Sequence, residues 1–427
     1  MRQLVYSTAG ATASKLALGA FTVAAARALG ATPSADFFAW AFTWMGALAL
    51  LTQGAIQPAL TAHLGTATDT AARARALAAG QRIAHRAGAA AAALLVLCVP
   101  WLAPASAQAL PLAEKVCVLG SLAVALYWVS ACSAEMAALA WAERAGLAAG
   151  MGTLSPLAGA LALMLAPPAF KGVAASCTFA VASFAEYAAL AVVRRASLQP
   201  VRCAHADVAR LLRPMAGWAV VGLAQTLVPV FDLLLASQAG HGAVAILTYA
   251  TRPSSVVNAI LGIGVSAALT AAFAAAHVRG RDAFVCRARY YAGGFALLGA
   301  APALGLSLWA DALAAALYGT AAMQDRSLQT VAQVMALYAW TTVLWAFGGV
   351  IARALTAGGR TMPVATMTLV AAAVKLALSV ALYDRFGLEG LAGSSLAQAA
   401  VFSAGLYWVF ERASGAARVL GRPAAQR

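Results

Sequence analysis

Acidic residues are scarce in this chain. Only 14 Asp and Glu stand against 29 Lys and Arg, and charged residues of every kind make up 10% of the 427. A soluble domain of this length could not cover its surface with so little polar side chain. Lysine is rarer still. Lys15, Lys115, Lys171 and Lys375 are all there are, and none follows a glycine, which excludes a GxxxxGK[ST] phosphate loop. The six cysteines (Cys98, Cys117, Cys132, Cys177, Cys203 and Cys286) are scattered without a CxxC pair. The five histidines (His63, His85, His205, His241 and His277) fall in loops or at the ends of apolar runs, without ligand spacing. Neither a disulfide framework nor a metal site is expected. No nucleophile elbow is present, so the sequence does not read as an enzyme, and no cofactor is expected. Any work must draw on an ion gradient, the membrane potential or the substrate's own gradient. The sequence does not identify a coupling ion.

What the chain has instead is hydrophobic length: 63% of residues are hydrophobic and the mean hydropathy is +0.81. A helical span needs about 20 mostly apolar residues. Twelve runs qualify, at roughly 4–28, 36–63, 84–104, 112–141, 145–167, 172–193, 214–237, 243–276, 289–310, 329–356, 362–383 and 388–410. Ala and Gly abound in them, and small side chains let helices approach closely in lipid. The expected fold is all-α, a polytopic membrane protein of about 12 transmembrane helices.

A formal net charge of +15 invites a nucleic-acid partner, but its distribution points elsewhere. Basic residues gather in alternate loops: Arg73, Arg75, Arg82 and Arg86; Arg144; Arg194, Arg195, Arg202, Arg210 and Arg213; Arg279, Arg281, Arg287 and Arg289; and Arg360. The opposite loops hold only Lys115, Lys171, Arg326 and Arg385. This is the positive-inside pattern, and it places both termini in the cytoplasm. The partner it implies is anionic lipid, with no role for nucleic acid. Only Arg2 precedes the first apolar run, so the first helix is expected to be retained rather than cleaved as a signal peptide.

The longest polar segment between spans, about 194–213, divides the chain into six spans plus six. Short matches link the halves. Ala125-Leu126-Tyr127-Trp128 resembles Ala336-Leu337-Tyr338-Ala339-Trp340, Gly172–Cys177 resembles Gly390–Ser395, and Ala59–Ala62 resembles Ala268–Ala271. We expect an N-terminal six-helix bundle over 1–200, a C-terminal one over 201–413, and a cytoplasmic tail over 414–427. Two six-span repeats of like orientation enclose a cavity that can open to either side by rocking, which suits alternating access. A channel would show a ring of repeated polar residues or a filter loop, and neither is present.

Several motifs carry a family resemblance. Ala28-Leu29-Gly30-Ala31 leads into Ala35-Asp36-Phe37-Phe38-Ala39-Trp40-Ala41-Phe42, and Gln53-Gly54-Ala55-Ile56-Gln57-Pro58 follows in the second span. Later come Phe231–Ser237, Leu247-Thr248-Tyr249-Ala250-Thr251-Arg252, Arg353-Ala354-Leu355, Gly359–Pro363 and Gly387–Ala392. Together these resemble MurJ/MviN-type lipid II flippases of the multidrug/oligosaccharidyl-lipid/polysaccharide (MOP) exporter superfamily. Lipid II-type members carry basic residues in spans 1 and 2; here those places, around Phe21 and Ala49-Leu50, are apolar. They also have two further C-terminal helices, whereas this chain ends after its twelfth span. The resemblance therefore implies a divergent, shortened member. Such a protein would flip a polyprenyl-diphosphate-linked glycan, lipid II-like or an exopolysaccharide or O-antigen unit, across the bacterial inner membrane. One alternative is a cation-coupled multidrug antiporter of the same superfamily, with Asp36 or Glu186 as its ion-binding carboxylate. The other is a non-transporting scaffold that recruits envelope-synthesis proteins through its basic loops.

The intramembrane charges are the candidate site. Arg252, followed by Pro253, is the one Asp, Glu, Lys or Arg between Gly242 and Ala276. A charge at that depth costs roughly 3 kcal/mol to insert and normally faces a cavity or a partner. It either binds the substrate's diphosphate or forms a permanent pair with Asp232, whose expected depth differs by about 5 Å. Lys15 either supplies cavity charge or pairs with Glu186 or Asp36. Asp36 lies at the outer start of the second span. Glu135 and Arg353 occupy equivalent depths in the two halves and form either a cytoplasmic-side gate or a static bridge. Lys375 has no obvious partner, and Arg27 is expected to snorkel to the interface.

Overall fold

The computed structural model describes residues 2–419 apart from 68, 143, 196–197, 199–200, 202, 264–268, 270–272, 274–275, 277–279, 321–322 and 359. Residues 420–427 of the expected tail lie outside the described residues, as do Arg202, His277 and Arg279. Among the described residues the chain forms α-helices joined by turns and short 3-10 segments, with no strand.

The first nine helices are α1 (Arg2–Leu29), α2 (Pro33–Thr66), α3 (Thr70–Leu97), α4 (Leu112–Trp141), α5 (Ala145–Met151), α6 (Leu154–Leu165), α7 (Lys171–Arg195), α8 (His205–Ala236) and α9 (Ala243–Ile263). They are followed by α10 (Arg281–Leu308), α11 (Ala310–Tyr318), α12 (Asp325–Ala339), α13 (Thr341–Ala357) and α14 (Thr361–Val419). Among the described residues, eight segments, from Ala9–Leu29 to Met362–Ala413, are long and apolar enough to cross a membrane. The protein is all-α and polytopic.

The twelve expected spans fall largely on helix, the third on α3 to Leu97 and then a short 3-10 segment, Val99–Leu102, and the eighth described to Ile263 and again at Leu269, Phe273 and Ala276. Three are subdivided. The span at 145–167 breaks between Met151 and Leu154, that at 289–310 breaks at Trp309, and that at 329–356 breaks at Trp340. Helix starts follow local chemistry. The Thr32 hydroxyl accepts the Ala35 N–H at 3.3 Å, and Pro33 opens α2 where its missing N–H costs nothing. Asp69 caps α3 through the Ala72 N–H in the same way.

One long helix is in fact two. Gly387 has φ 56° and ψ −132°, a backbone that side-chain-bearing residues rarely adopt. Lys375 and Ser394 would lie about 28 Å apart along a straight helix. Instead Lys375 Nζ donates to Ser394 Oγ at 2.8 Å. The chain therefore doubles back at Gly387, as expected from separate spans at 362–383 and 388–410.

The chain divides into two compact units. The first comprises Met1–Arg252 with Asp311–Ala332, and the second Pro253–Ala310 with Gln333–Arg427. These boundaries differ from the bundles expected at 1–200 and 201–413, because α8 and the start of α9 are bound to α2. Thr226 Oγ1 donates to Ala47 O at 3.2 Å, and Asp36 holds the N-terminus of α9. The core of the first unit packs Ile56, Leu60, Leu77, Ala84, Ala138 and Leu211 from α2, α3, α4 and α8. That of the second gathers Phe295, Ile351, Phe402, Leu406 and Phe410.

Candidate functional site

In the first unit the α1–α2 turn meets the α8–α9 turn. Asp36, fully buried near the start of α2, accepts hydrogen bonds from the Gly242 N–H at 2.6 Å and the Ala245 N–H at 2.9 Å. A carboxylate there satisfies two of the unpaired donors at the N-terminus of α9 and complements its dipole. Gly242 is required at this contact: its φ is +84°, and a Cβ would meet Ala31 O at 2.9 Å. The sequence placed Asp36 among substrate ligands, but the structure shows its oxygens engaged by backbone.

Further contacts knit the same end. Tyr249 Oη donates to Gly30 O at 3.1 Å, and Tyr318 Oη donates to Tyr249 O at 3.0 Å, with the two rings stacked at 5.6 Å. Burial pushes the Tyr318 phenol above its ordinary value, against the opposing influence of Arg252, so it remains a donor at neutral pH. Arg27 does not snorkel. Its Nε donates to Leu317 O at 2.9 Å and its terminal nitrogen to Ala316 O, so it caps the last carbonyls of α11.

Arg252 lies two turns along α9 from Ala245, about 10 Å deeper. Its Nε is buried without a hydrogen-bond partner. The ion pair expected between Arg252 and Asp232, a buried residue of α8, is not among those formed by the described residues. The other basic side chain expected at the site is Lys15. Lys15, half-buried in α1, feels the electrostatic influence of Arg252. Neither carboxylate proposed for Lys15 takes it: Asp36 bonds the α9 backbone, and Glu186 accepts the Ser155 N–H at 2.8 Å at the start of α6. Arg252 and Lys15 are both cationic and donor-only, which suits an anion bearing several acceptor oxygens.

The carboxylate of Glu135 is satisfied inside its own unit. Fully buried in α4, it forms a salt bridge with Arg194 at the end of α7 and accepts from Gln81 Nε2 of α3 at 2.7 Å. Arg194 also donates to Leu198 O at 2.9 Å. The sequence assigned Arg194 to a solvated loop, whereas α7 runs on to Arg195 and buries it. Arg353, the expected partner of Glu135, is half-buried on α13 of the second unit and engaged in an interaction of its own. Sequence reasoning also missed His85. Its Nδ1 shares a hydrogen bond with Tyr127 Oη at 2.9 Å, and Tyr187 Oη lies 3.4 Å from Nε2.

A groove of about 460 Å³ in the first unit is lined by Leu48, Leu51 and Ile56 of α2, Ala91 and Leu94 of α3, and Met215 of α8. Its apolar walls suit hydrocarbon rather than a charged group. Among the described residues no cluster of His, Cys, Asp and Glu could hold a metal ion.

Comparison with known proteins places this geometry. The sequence model of the family described as lipid II flippase MurJ matches residues 25–421. No curated protein matches the sequence. Among solved structures, an inward-facing multidrug resistance MATE family transporter of the MOP superfamily is similar with a TM-score of 0.78 and 15% identity, covering 96% of each chain. Lipid II flippase MurJ in an inward closed conformation is similar with a TM-score of 0.75 and 12% identity, covering 93% of this chain and 86% of that one. A MOP superfamily transporter from Pyrococcus furiosus, described as having a binding pocket of reverse polarity, gives 0.66 at 15% identity over 99% of this chain and 96% of that one.

Proposed function

This chain belongs to the MurJ family of lipid II flippases, and from that premise we propose that it moves a polyprenyl-diphosphate-linked glycan from the cytoplasmic to the periplasmic leaflet of a bacterial inner membrane. The observation that carries this reading is Arg252, whose buried Nε has no hydrogen-bond partner, with Lys15 a further cation on α1 and the carboxylates Asp36 and Glu186 already bonded to backbone. Two like charges within a membrane are costly unless an anion is present for part of the cycle. A diphosphate offers only acceptor oxygens. Guanidinium grips two of them at once, and the ammonium supplies a second point of charge.

The mechanism we favour is alternating access. The contacts of Asp36, Tyr249, Tyr318 and Arg27 hold the periplasmic end of the first unit shut while the head group loads from the cytoplasm. Arg252 and Lys15 then take the diphosphate, the lipid tail stays in the bilayer, and breaking the α9 contacts releases the head group outside. The Glu135–Arg194 bridge stays closed throughout as a fixed clamp among α3, α4 and α7. The antiporter reading needs an uncommitted carboxylate deep in one unit. Both of its candidates spend their oxygens at helix N-termini, which favours the flippase.

The experiment is a leaflet-accessibility assay of polyprenyl-diphosphate glycans in cells depleted of the protein. These cells are complemented with wild type, Arg252→Ala or Arg252→Lys. Arg252→Ala is expected to leave the lipid in the inner leaflet, and Arg252→Lys to restore part of the flux. Correct distribution of every such lipid in depleted cells would remove the flippase reading.

A further inference from the structure

Pro253 stands inside α9, and the helix runs on through it to Ile263. A proline has no N–H to give to the carbonyl four residues back, and its ring pushes against that carbonyl. The carbonyl concerned is that of Tyr249, one turn before Pro253. Within a membrane no water is at hand to satisfy such an orphan, so another protein donor must reach it.

The donor is Tyr318, the last residue of α11, whose hydroxyl meets Tyr249 O at 3.0 Å. Both tyrosines are buried, and their rings stack with centroids 5.6 Å and planes 25° apart. The hydroxyl is aimed from two sides. Tyr249 Oη donates in turn to Gly30 O at 3.1 Å, which fixes the ring on which Tyr318 lies. Arg27 holds the Ala316 and Leu317 carbonyls, the two residues just before Tyr318. All of these groups belong to the first unit. A construction of three elements, α1, α9 and α11, thus delivers one phenolic hydroxyl to the one carbonyl of α9 that Pro253 deprives of its donor.

Arg252 immediately precedes Pro253, and Tyr318 and Arg252 influence one another electrostatically. Proline bends a helix, and the bend sets the direction in which the turn before it carries its side chains. We propose that Tyr318 is a positioning residue for Arg252: its hydroxyl replaces the N–H that Pro253 lacks and fixes the bend from which Arg252 reaches the diphosphate. The role in binding rests on the flippase reading, while the bond itself does not. Pro253 marks the orphan carbonyl in the sequence, but its donor lies 69 residues beyond Tyr249.

The test joins two measurements on purified full-length protein. One is the melting temperature in detergent, and the other is the lipid concentration that half-saturates translocation of a labelled polyprenyl-diphosphate glycan in proteoliposomes. Tyr318→Phe keeps the stacked ring but strands the carbonyl, so it is expected to melt several degrees lower. Pro253→Ala returns the missing N–H, and in that background Tyr318→Phe should leave melting unchanged. A Tyr318→Phe protein that folds only with Pro253→Ala gives the same support. Equal loss in the two backgrounds, or none in either, overturns the bond. Pro253→Ala alone should melt at the wild-type temperature or above, yet need about tenfold more lipid for half-saturation, because a straightened α9 misdirects Arg252. Tyr318→Phe should raise that concentration similarly. Stable Pro253→Ala protein with wild-type half-saturation overturns the positioning role. Wild-type protein that moves no lipid removes the flippase reading instead, and the melting comparison then decides the bond by itself.

Discussion

The Gly242 N–H donates to the Asp36 carboxylate at 2.6 Å across 206 residues of sequence. With the Ala245 N–H it makes Asp36 the cap of α9, the helix that carries Arg252. The charge at the α1–α2 turn therefore governs the position of the charge in the candidate site. Asp36→Ala strands two buried donors beside a helix N-terminus and should cost about 2–3 kcal/mol. Asp36→Asn keeps one acceptor oxygen and should lose about half as much. Thermal unfolding in detergent measures both, and equal melting of Asp36→Ala and wild type would show that the cap is not needed.

Gly242→Ala should weaken the same junction by another route. A left-handed backbone costs a side-chain-bearing residue about 1–2 kcal/mol, and the new Cβ would also press on Ala31 O. The expected outcome is a lower melting temperature, with increased modification of a cysteine introduced at Ala31 by a membrane-impermeant thiol reagent.

The Glu135–Arg194 bridge predicts strong non-additivity. Either Glu135→Ala or Arg194→Ala leaves one buried charge uncompensated, at about 3–5 kcal/mol. Replacing both with apolar residues, as Glu135→Leu with Arg194→Met, should be far less costly than the sum. A double-mutant cycle on melting temperature checks this, and simple additivity would contradict a closed pair.

The helices were legible in the sequence because a bilayer demands length and apolarity, and both are written in consecutive residues. Arg252 stood out for the same reason, as a charge interrupting an apolar run. Partners were not legible. Asp36 serves backbone N–H groups two hundred residues away, and no periodicity encodes that. Arg194 read as a loop charge because positive-inside counting takes no account of a helix that runs on past its apolar stretch. The reversal at Gly387 set two spans apart as expected, but only the fold reveals that it delivers Ser394 and Leu391 to Lys375. Lys15 and Arg252 were grouped on charge alone, and what the fold adds is an electrostatic influence of Arg252 on Lys15.

Lys15 should trade stability for function. It adds repulsion beside Arg252 when no anion is bound, so Lys15→Ala should melt at the wild-type temperature or slightly above. Its transport should fall, because the diphosphate loses one of two cations. A charge-assisted hydrogen bond contributes about 1.5–3 kcal/mol, roughly a tenfold to hundredfold loss in affinity. Lys15→Ala with both lower stability and normal transport would reverse the assignment.

The most direct measurement is translocation of a labelled polyprenyl-diphosphate glycan by purified protein in proteoliposomes, read by an impermeant reagent that reports the exposed leaflet. Wild type should move the lipid, Arg252→Lys should move it more slowly, and Arg252→Ala should be at least tenfold slower while remaining folded. Translocation by Arg252→Ala at the wild-type rate would contradict the account at its centre.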